Sequence, residues 1–243
     1  MNNNKKILIF IPAFNVEKKI FSVVERIPIK IFEINEIKIL IINDNSNDNT
    51  DREIEKIQNK FSYNFEIINS DKQLGYGGVQ KISFNYAIKE NYDYIIMLHG
   101  DGQYAPEELP KFIAELENPD FDAVFGSRMM NYKSAIRGGM PIYKFLGNIF
   151  LTFIQNLILN SNVSEFHSGY RSFKVNSLKK INFFELPDYY HFDTEMIIQL
   201  LKMKMTLKEI YIPTFYGDEV SHLKSVPYGL KVLYSTIKSK FKK

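Results

Sequence analysis

Short apolar runs alternate with segments of helical spacing along the first half of the chain. The runs are rich in Ile, Phe and Tyr, and each is followed by Asn, Asp, Gly or Ser, which is typical of buried strands. They are Ile7–Ile11, Ile37–Ile42, Phe65–Ile68, Tyr94–Leu98 and Ala123–Phe125. The helical segments are Val16–Ile27, Asp48–Lys60, Gly77–Lys89 and Pro106–Glu117. This pattern predicts an α/β fold with a mostly parallel central sheet and helices on both faces.

The second half of the chain is less regular. Beyond about residue 127 the alternation breaks down, as if further elements were appended to the sheet, although Glu209–Pro213 still resembles a strand. No internal repeat, low-complexity linker or sharp boundary is present, which favours a single domain over residues 1–243. Residues 226–243 place Leu230, Tyr234, Ile237 and Phe241 on one helical face among lysines, which predicts a basic amphipathic helix.

Composition narrows the class of protein. A hydrophobic fraction of 45% with 24% charged residues is that of a folded globular chain. A net charge of +3 gives no general affinity for nucleic acid, and the absence of cysteine excludes disulfides and thiolate metal sites. The N-terminal Met-Asn-Asn-Asn-Lys-Lys lacks the features of a signal peptide, and no uninterrupted run of 18 apolar residues is present. These features predict a soluble, cytoplasmic protein.

Polar or glycine-rich stretches follow four of the predicted strands, at residues 12–15, 43–46, 75–78 and 99–103. Each has a simple explanation as a turn, a helix cap or a flexible loop. In a parallel α/β sheet, however, ligands bind beyond the carboxyl ends of the strands, where all four stretches would meet. Asp101, flanked by glycines, suits a hard divalent cation and the diphosphate that such a cation clamps. The coincidence indicates a ligand site.

Five short motifs carry a resemblance to a known family. They are Ile11-Pro12-Ala13-Phe14-Asn15, Asn43-Asp44-Asn45-Ser46-Asn47-Asp48-Asn49-Thr50, His99-Gly100-Asp101-Gly102-Gln103, Gly126-Ser127-Arg128 and Ser168-Gly169-Tyr170-Arg171. In order and spacing the chain resembles family 2 glycosyltransferases of the GT-A fold, near the dolichyl-phosphate mannose and glucose synthase branch. The resemblance extends from residue 7 to about residue 215, nearly the whole chain.

The resemblance implies a nucleotide-sugar site in the first half, to about residue 127. It places Pro12, Phe14 and Asp44 around the base and ribose, and it makes Arg128 a phosphate ligand. Asp101 and Gln103 would ligate Mg²⁺ or Mn²⁺, which offsets charge on the leaving diphosphate. The implied reaction is an inverting, in-line displacement at the anomeric carbon. The predicted donor residues are Pro12, Phe14, Asn15, Glu17, Asn43, Asp44, Ser46, Gly75, Gly77, His99, Asp101 and Arg128.

Three positions depart from the pattern that the resemblance implies. Asn43 replaces a common Asp, and Val16 stands where Glu is frequent, which leaves Glu17 as its substitute. His99 replaces the first Asp of the metal motif, so one fewer anion faces the cation. His99 would then contact the nucleotide or ligate metal as a neutral imidazole. We therefore expect weaker metal affinity than in a site with two carboxylates.

The second half, about residues 128–220, should bind the acceptor. Glu165 matches a family Asp position and is the first candidate for a general base, with His167 the second. Ser168, Arg171 and His191 are predicted acceptor ligands, and a phosphate acceptor would need Arg171 more than a base. Asp193 is a third candidate catalytic residue, although residues 191–195 are equally explained as a helix cap. Asp218, Glu219 and His222 are read as a loop.

Membrane contact is a further question that the sequence raises. Phe145, Leu146, Ile149, Phe150, Phe153, Ile154, Leu157 and Ile158 form an apolar stripe at helical spacing. Such a stripe more often faces a protein core than a membrane. The basic terminal helix suits either an anionic membrane surface or its own domain. The protein is then either free in the cytoplasm or peripheral on the cytoplasmic face of a membrane.

The sequence favours one function and leaves two others open. The main hypothesis is a metal-assisted glycosyltransferase that uses a nucleotide-diphosphate sugar. Its acceptor is a polyprenyl phosphate or a hydroxyl of a cell-surface glycan precursor. A catalytically degenerate nucleotide-sugar-binding module is the alternative that Asn43 and His99 suggest. A sugar nucleotidyltransferase would need a Gly-rich, basic triphosphate loop after the first strand, and residues 12–15 contain no such loop.

Overall fold

The computed structural model describes residues 4–217 and 225–241 of the chain. The strands are β1 (Lys6–Ala13), β2 (Glu36–Asn43), β3 (Asn64–Asn69), β4 (Tyr94–Met97), β5 (Ala123–Ser127), β6 (Arg171–Lys174) and β7 (Leu207–Tyr211). The helices are α1 (Ile20–Glu25), α2 (Lys30–Ile34), α3 (Thr50–Lys60), α4 (Tyr76–Lys89), α5 (Leu109–Glu117), α6 (Tyr132–Arg137), α7 (Ile142–Leu159), α8 (Val175–Leu178), α9 (Phe192–Lys202) and α10 (Ser225–Phe241). Asp218, Glu219 and His222 lie outside the described residues.

One seven-stranded sheet runs through the protein in the order β3-β2-β1-β4-β6-β5-β7. Strands β1, β2, β3 and β4 pair in parallel, and β7 is parallel to β5. Only β6, among the described strands, runs against its neighbours, lying between β4 and β5. The predicted α/β fold with a mostly parallel sheet is therefore confirmed, and it is the GT-A architecture.

Helices cover both faces of the sheet because β1 is apolar on both sides. Ile7, Ile9 and Ile11 pack in one cluster with apolar residues of α1, α3 and α5. Leu8 and Phe10 point the other way and pack in a second cluster with residues of α4 and α9. Each fully buried side chain of this size contributes roughly 1.5–3 kcal/mol. The two layers hold the carboxyl ends of β1, β2 and β4 at one rigid edge.

The first helix starts later than its spacing predicts. Val16–Ile27 was expected to be helical, but α1 begins at Ile20. The backbone N–H of Val16 donates to Thr50 Oγ1 (2.9 Å), and that of Glu17 donates to Asp48 Oδ2 (3.1 Å). Asn15 adopts a left-handed conformation (φ 54°) just before them. These contacts hold residues 14–19 as a loop at the sheet edge instead of a helical turn.

Two other elements differ from the sequence prediction. The strand expected at Glu209–Pro213 lies two residues earlier, as β7 (Leu207–Tyr211). Strand β6 was not predicted, because its four residues, Arg171–Lys174, contain only one apolar side chain. Its pairing with β5 joins the two expected halves of the chain into one continuous sheet.

Candidate active site

A cavity of about 1170 Å³ opens at the carboxyl edge of the sheet. Its volume is large enough for a nucleotide sugar together with part of a second substrate. Twelve residues predicted from the sequence line it: Pro12, Phe14, Asn15, Glu17, Asp44, Gly75, His99, Asp101, Gln103, Arg128, His167 and Asp193. Seven others are not part of its wall: Asn43, Ser46, Gly77, Glu165, Ser168, Arg171 and His191.

Asn43 and Ser46 support the site from behind the cavity wall. Ser46 Oγ donates to Asn43 Oδ1 (2.6 Å) and accepts from the N–H of Asn15 (3.0 Å). The Asn43 amide donates to Asp51 at the start of α3. The structure thus corrects their assignment as nucleotide ligands, because both side chains are used to fix the loops after β1 and β2. The bond to Asp51 needs the Asn43 amide as donor, and an ionised Asp could not supply it.

Asp44 also has a structural task, although it lines the cavity. Its two carboxylate oxygens accept hydrogen bonds from the backbone N–H groups of Leu74 (2.6 Å) and Gly75 (3.0 Å). Those bonds hold the loop that precedes α4 against the end of β2. Asp44 therefore positions the Leu74–Gly75 backbone at the cavity rim, a role that the sequence alone did not indicate.

Gly75 and Gly77 are required by a protein contact. A Cβ on Gly77 would lie 2.4 Å from Pro187 O, and one on Gly75 would lie 2.8 Å from Asp188 O. Gly75 also has a positive φ of 80°, which favours glycine. Gly77, predicted as a donor residue, lies outside the cavity wall and against protein backbone instead. Both glycines let the start of α4 approach the segment at Pro187–Asp188, and Gly77 N–H donates to Asp188 O (2.9 Å).

Gly77→Ala is expected to destabilise the protein by about 1–3 kcal/mol, because the new methyl group meets backbone and not a flexible side chain. Gly147→Ala is the matched control in α7, since a Cβ there meets nothing within 4 Å. Alanine at that helical position should stabilise by about 0.5–1 kcal/mol. Urea unfolding of both variants measures the difference. Equal effects of the two substitutions would contradict the close contact.

Asp101 and Gln103 lie together on the cavity wall beyond β4. Asp101 Oδ1 accepts from the N–H of Gln103 (2.9 Å), which fixes the carboxylate at the turn. Among the described residues no group of three or more His, Asp or Glu side chains is arranged to hold a metal ion. A single carboxylate still fits Mg²⁺ or Mn²⁺ of the kind that substrate phosphates and water help to coordinate. The residues therefore suit a cation that arrives with a diphosphate.

His99 is surrounded by aromatic rings. Its Nε2 lies 3.2 Å from Gly169 O, so the ring is held as a donor to that carbonyl. Tyr104 packs edge-on against the ring (centroids 4.9 Å apart), and the centroid of the Tyr76 ring lies 5.8 Å away. Tyr190 stacks on Tyr76 in turn. This aromatic wall was missed from the sequence, since its members lie in separate segments with no shared spacing.

Arg128 and Glu165 form a buried ion pair. The Arg128 guanidinium donates to Glu165 Oε1 through Nε (3.0 Å) and Nη2, and the Arg128 N–H donates to Oε2 (2.7 Å). Asn148 of α7 adds a further hydrogen bond to Oε1 (2.8 Å). Burial alone would raise the pKa of the Glu165 carboxyl, but the adjacent guanidinium outweighs it and holds the pKa below its usual value. Glu165 is thus ionised and fully engaged.

This pairing corrects the assignment of Glu165 as the first candidate for a general base. Glu165 is 1% exposed and does not reach the cavity. Its carboxylate instead fixes Arg128, which does line the cavity and also donates to Tyr216 Oη (3.0 Å) and His167 O (2.9 Å). Arg128 is accordingly a rigid donor group, with its charge partly offset by Glu165.

Asp193 and Arg171 are similarly occupied. Asp193 accepts from Tyr76 Oη (2.7 Å) and Gln80 Nε2 (2.9 Å), and Arg171 Nε lies 3.4 Å from it. Arg171 is buried, donates to the carbonyls of Ser168, Phe166 and Asp193, and lies over the Phe125 ring. The prediction that Arg171 binds the acceptor is corrected, because every one of these contacts is internal.

Ser168 and His191 are also removed from the predicted acceptor site. Ser168 is buried, and its Oγ accepts from the N–H of Tyr170 (3.4 Å). His191 is the residue before α9, and its ring lies against that of Tyr189. Neither side chain reaches the cavity. His191 stands at the N-cap position of α9, but its side chain makes no capping hydrogen bond.

His167 is the one member of the predicted catalytic set that lines the cavity with an unpartnered polar atom. Nδ1 pairs with Tyr228 Oη (2.9 Å), whereas Nε2 has no partner among the described residues. Burial lowers the pKa of the imidazole to about 4. His167 is therefore neutral near pH 7, and its unpartnered Nε2 is buried.

The burial of neutral His167 predicts an acid-dependent loss of stability. The folded-state pKa lies below the unfolded value of 6.5, so unfolding takes up a proton once the pH falls below 6.5. The free energy of unfolding of the wild type should then fall by up to about 3 kcal/mol more than that of His167→Gln between pH 6.5 and 4. Urea unfolding across this range tests it, and parallel pH profiles would refute it.

Helix α7 contributes a wall of the cavity that the sequence did not predict as part of the site. Tyr143, Lys144, Gly147, Asn148 and Leu151 line it. Their spacing places them along one side of the helix. The Lys144 ammonium lies 5.2 Å from the centre of the Tyr216 ring, which keeps a positive charge near Arg128. The helical spacing was visible in the sequence, but the direction of this face was not.

The order of the described strands, with β6 alone among them antiparallel, and the cavity at the strand ends are those of the GT-A fold. The chain belongs to glycosyltransferase family 2, because the model of that family, Glycosyl transferase family 2, matches residues 8–182. The resemblance inferred from the sequence motifs is thereby confirmed.

Three similar proteins illustrate the family. UDP-N-acetylglucosamine–dolichyl-phosphate N-acetylglucosaminyltransferase of Methanococcus voltae is 28% identical over 252 residues, covering 99% of this chain and 98% of the relative. Undecaprenyl-phosphate mannosyltransferase of Micrococcus luteus is 21% identical over 65% of this chain and 63% of the relative. Glucosyl-3-phosphoglycerate synthase of Mycobacterium tuberculosis, crystallised with Mn²⁺, UDP and phosphoglyceric acid, superposes with a TM-score of 0.73 at 12% identity. It covers 97% of this chain and 78% of that chain, and supports the fold alone.

Proposed function

We propose that this glycosyltransferase moves a sugar from a uridine-diphosphate sugar to a polyprenyl phosphate with inversion at the anomeric carbon. The observation that carries the proposal is that Asp101, Arg128 and His167 line the same cavity at the carboxyl edge of the sheet. The full-length similarity to a transferase named for UDP-N-acetylglucosamine and dolichyl phosphate supports both substrate classes. A location at the cytoplasmic face of a membrane is part of the proposal.

The protonation states around the cavity favour an ionised acceptor. A hydroxyl acceptor needs a general base within hydrogen-bond reach of its proton. The Glu165 carboxylate is bound by Arg128, the Asp193 carboxylate is bound by Tyr76 and Gln80, and the pKa of His167 near 4 makes it a weak base. A phosphate oxygen is already anionic and attacks without losing a proton. The state of these side chains therefore supports a polyprenyl phosphate over a sugar hydroxyl.

In the proposed reaction an oxygen of the acceptor phosphate forms the new bond to the anomeric carbon. The bond from that carbon to the β-phosphate oxygen breaks, and the nucleoside diphosphate leaves with the electron pair. Arg128 and Lys144 supply positive charge along the cavity wall. Asp101 and Gln103 would hold Mg²⁺ or Mn²⁺, which neutralises charge on the leaving diphosphate when bound.

The test is transfer from a panel of UDP-sugars to a polyprenyl phosphate, with the unphosphorylated polyprenol of the same length as matched control. We expect a glycosyl phosphate polyprenol from one donor, detected by mass spectrometry, and no product from the polyprenol. Retention of the phosphate in the product, with release of UDP, identifies the bond formed. Glycosylation of the polyprenol or of a glycan hydroxyl would overturn the proposed acceptor.

Binding measurements separate this proposal from a degenerate nucleotide-sugar module. A module would be stabilised thermally by UDP or UDP-sugar but would release no UDP with any acceptor. An enzyme should show both the thermal shift and turnover. A shift with GDP and none with UDP would correct the base and leave the rest of the proposal standing.

A further inference from the structure

Helix α7 buries polar side chains and exposes apolar ones, the opposite of a usual surface helix. Its polar side chains Asn148, Thr152 and Gln155 are buried against the domain. Phe145 and Ile149 of the predicted stripe pack on the protein, as expected, but other apolar side chains of the helix are exposed. Those exposed are Ile142, Tyr143, Leu146, Phe150, Phe153 and Leu157.

Helix α10 packs beside α7 and repeats the arrangement. Its exposed apolar side chains are Val226, Leu230, Tyr234, Ile237 and Phe241. Within residues 4–217 and 225–241, these two helices carry eleven of the twenty large apolar side chains that are exposed. We call this set the apolar face. A soluble monomer rarely leaves so many neighbouring apolar side chains in water, so the apolar face marks an interaction surface.

The charges on the two helices indicate what covers the apolar face. Neither α7 nor α10 contains Asp or Glu, whereas both contain lysine. Lys231, Lys238 and Lys240 are exposed on α10 among the apolar side chains. Two copies of the face packed together would juxtapose these lysines without acidic partners. An anionic lipid surface instead offers both an apolar layer and negative headgroups.

Helix α7 has the length and apolar composition of a membrane-spanning segment, and among the described helices it alone does. Its polar face, however, is bonded to the domain. Asn148 donates to Glu165 Oε1 (2.8 Å), and Asn156 donates to Val163 O (2.8 Å). A spanning orientation would break these bonds and expose the Glu165–Arg128 pair. An orientation along a surface keeps these bonds and leaves the outer side of the helix exposed.

We propose that the apolar face docks the enzyme on an anionic membrane surface, with α7 and α10 lying along the headgroup region. The same helices wall the cavity, through Lys144, Gly147 and Leu151 of α7 and Ser225 and Tyr228 of α10. The docked helices thus lie between the lipid and the cavity. The argument for docking uses only exposed side chains of the two helices. Its meaning for catalysis rests on the proposed function, because a lipid-borne acceptor would be presented at this wall.

The test is flotation of the purified full chain with vesicles of phosphatidylcholine alone or mixed with phosphatidylglycerol. We expect the wild type to float with the anionic vesicles. Phe150→Glu/Phe153→Glu should weaken binding by ~10-fold or more. Lys238→Gln/Lys240→Gln should weaken it roughly fivefold for each lysine removed, on anionic vesicles alone. Phe184→Glu is the matched control, because Phe184 is 59% exposed outside both helices and Phe150 is 60% exposed.

Thermal melting and UDP binding establish that each variant is folded, and Leu157→Glu repeats the test at a separate position. Flotation measures lipid binding and not sugar transfer. A negative flotation result is therefore distinguishable from failure of the proposed reaction. Wild type that stays at the bottom of both gradients would overturn the proposal. A dimer in sedimentation velocity that Phe150→Glu dissociates, without flotation, would also overturn it and assign the apolar face to a second copy.

Discussion

Asp101→Asn is expected to lower kcat/KM by about 100- to 1,000-fold, the largest loss of activity among single substitutions in this protein. Asparagine can still accept the hydrogen bond from the Gln103 N–H, so the turn beyond β4 should keep its shape. The change removes the one carboxylate that the donor-side metal motif retains, since His99 occupies the other position. In the proposed reaction, the negative charge on the leaving diphosphate would then lack the cation that Asp101 holds.

Steady-state transfer with and without Mn²⁺ measures this loss, together with the thermal shift that UDP produces. The Mn²⁺-dependent part of the UDP shift should disappear in Asp101→Asn. Asp71→Asn is the matched control, because Asp71 is an exposed residue outside the cavity. Full activity in Asp101→Asn would eliminate the metal hypothesis and assign charge neutralisation to Arg128 and Lys144.

Glu165→Gln should destabilise the protein by about 3–5 kcal/mol, because it leaves the buried Arg128 guanidinium without its counter-ion. The size of the effect separates a positioning residue from a general base. A base facing the cavity would lose activity and keep stability, whereas Glu165 should lose both. Guanidinium unfolding gives the free energy of unfolding, and transfer by the folded fraction gives the activity.

A double variant sharpens this prediction. Glu165→Gln/Arg128→Met removes both charges and should be less destabilised than Glu165→Gln alone. The contribution of Glu165 to the free energy of unfolding should also depend on pH, and the direction of this dependence is defined. The pKa of Glu165 is below its ordinary value of 4.5 in the folded state, because the Arg128 guanidinium outweighs the effect of burial. Its contribution to stability is therefore full above pH 4.5 and is lost as the pH falls through the folded-state pKa. A single variant no less stable than the double variant would contradict the ion-pair account.

The features that depend on local sequence patterns, namely the strands, the strand-end motifs and helix α7, could be predicted from the sequence. The apolar runs at β1 to β5 were predicted, and the segments at the ends of β1, β2 and β4 supply eight of the twelve predicted residues that line the cavity. Strand ends converge in a parallel sheet, so knowledge of the order of strands and turns was enough. The helical spacing of residues 145–158 was likewise sufficient to predict α7.

What the sequence could not predict depends on partners distant along the chain. From the sequence Glu165 is a candidate base, but in the structure its carboxylate is bound by Arg128, 37 residues away in the chain. From the sequence Gly77 is a candidate ligand-binding glycine, but in the structure it packs against the backbone oxygen of Pro187. The outward direction of the α7 stripe depends on which side Glu165 binds through Asn148. Such contacts have no periodic signature, so only the folded chain reveals them.

Strand β6 also constrains how the chain reaches its native state. It fills the position between β4 and β5 and supplies hydrogen bonds to both. A nascent chain that has passed β5 but not reached Arg171 also lacks β7, so one edge of β4 and both edges of β5 are unpaired and are sites for aggregation. We expect a fragment of residues 1–127 to be insoluble, although it contains most of the donor-side motifs. Ribosome release of the whole sequence, or a chaperone that shields those edges, then sets the yield of folded enzyme.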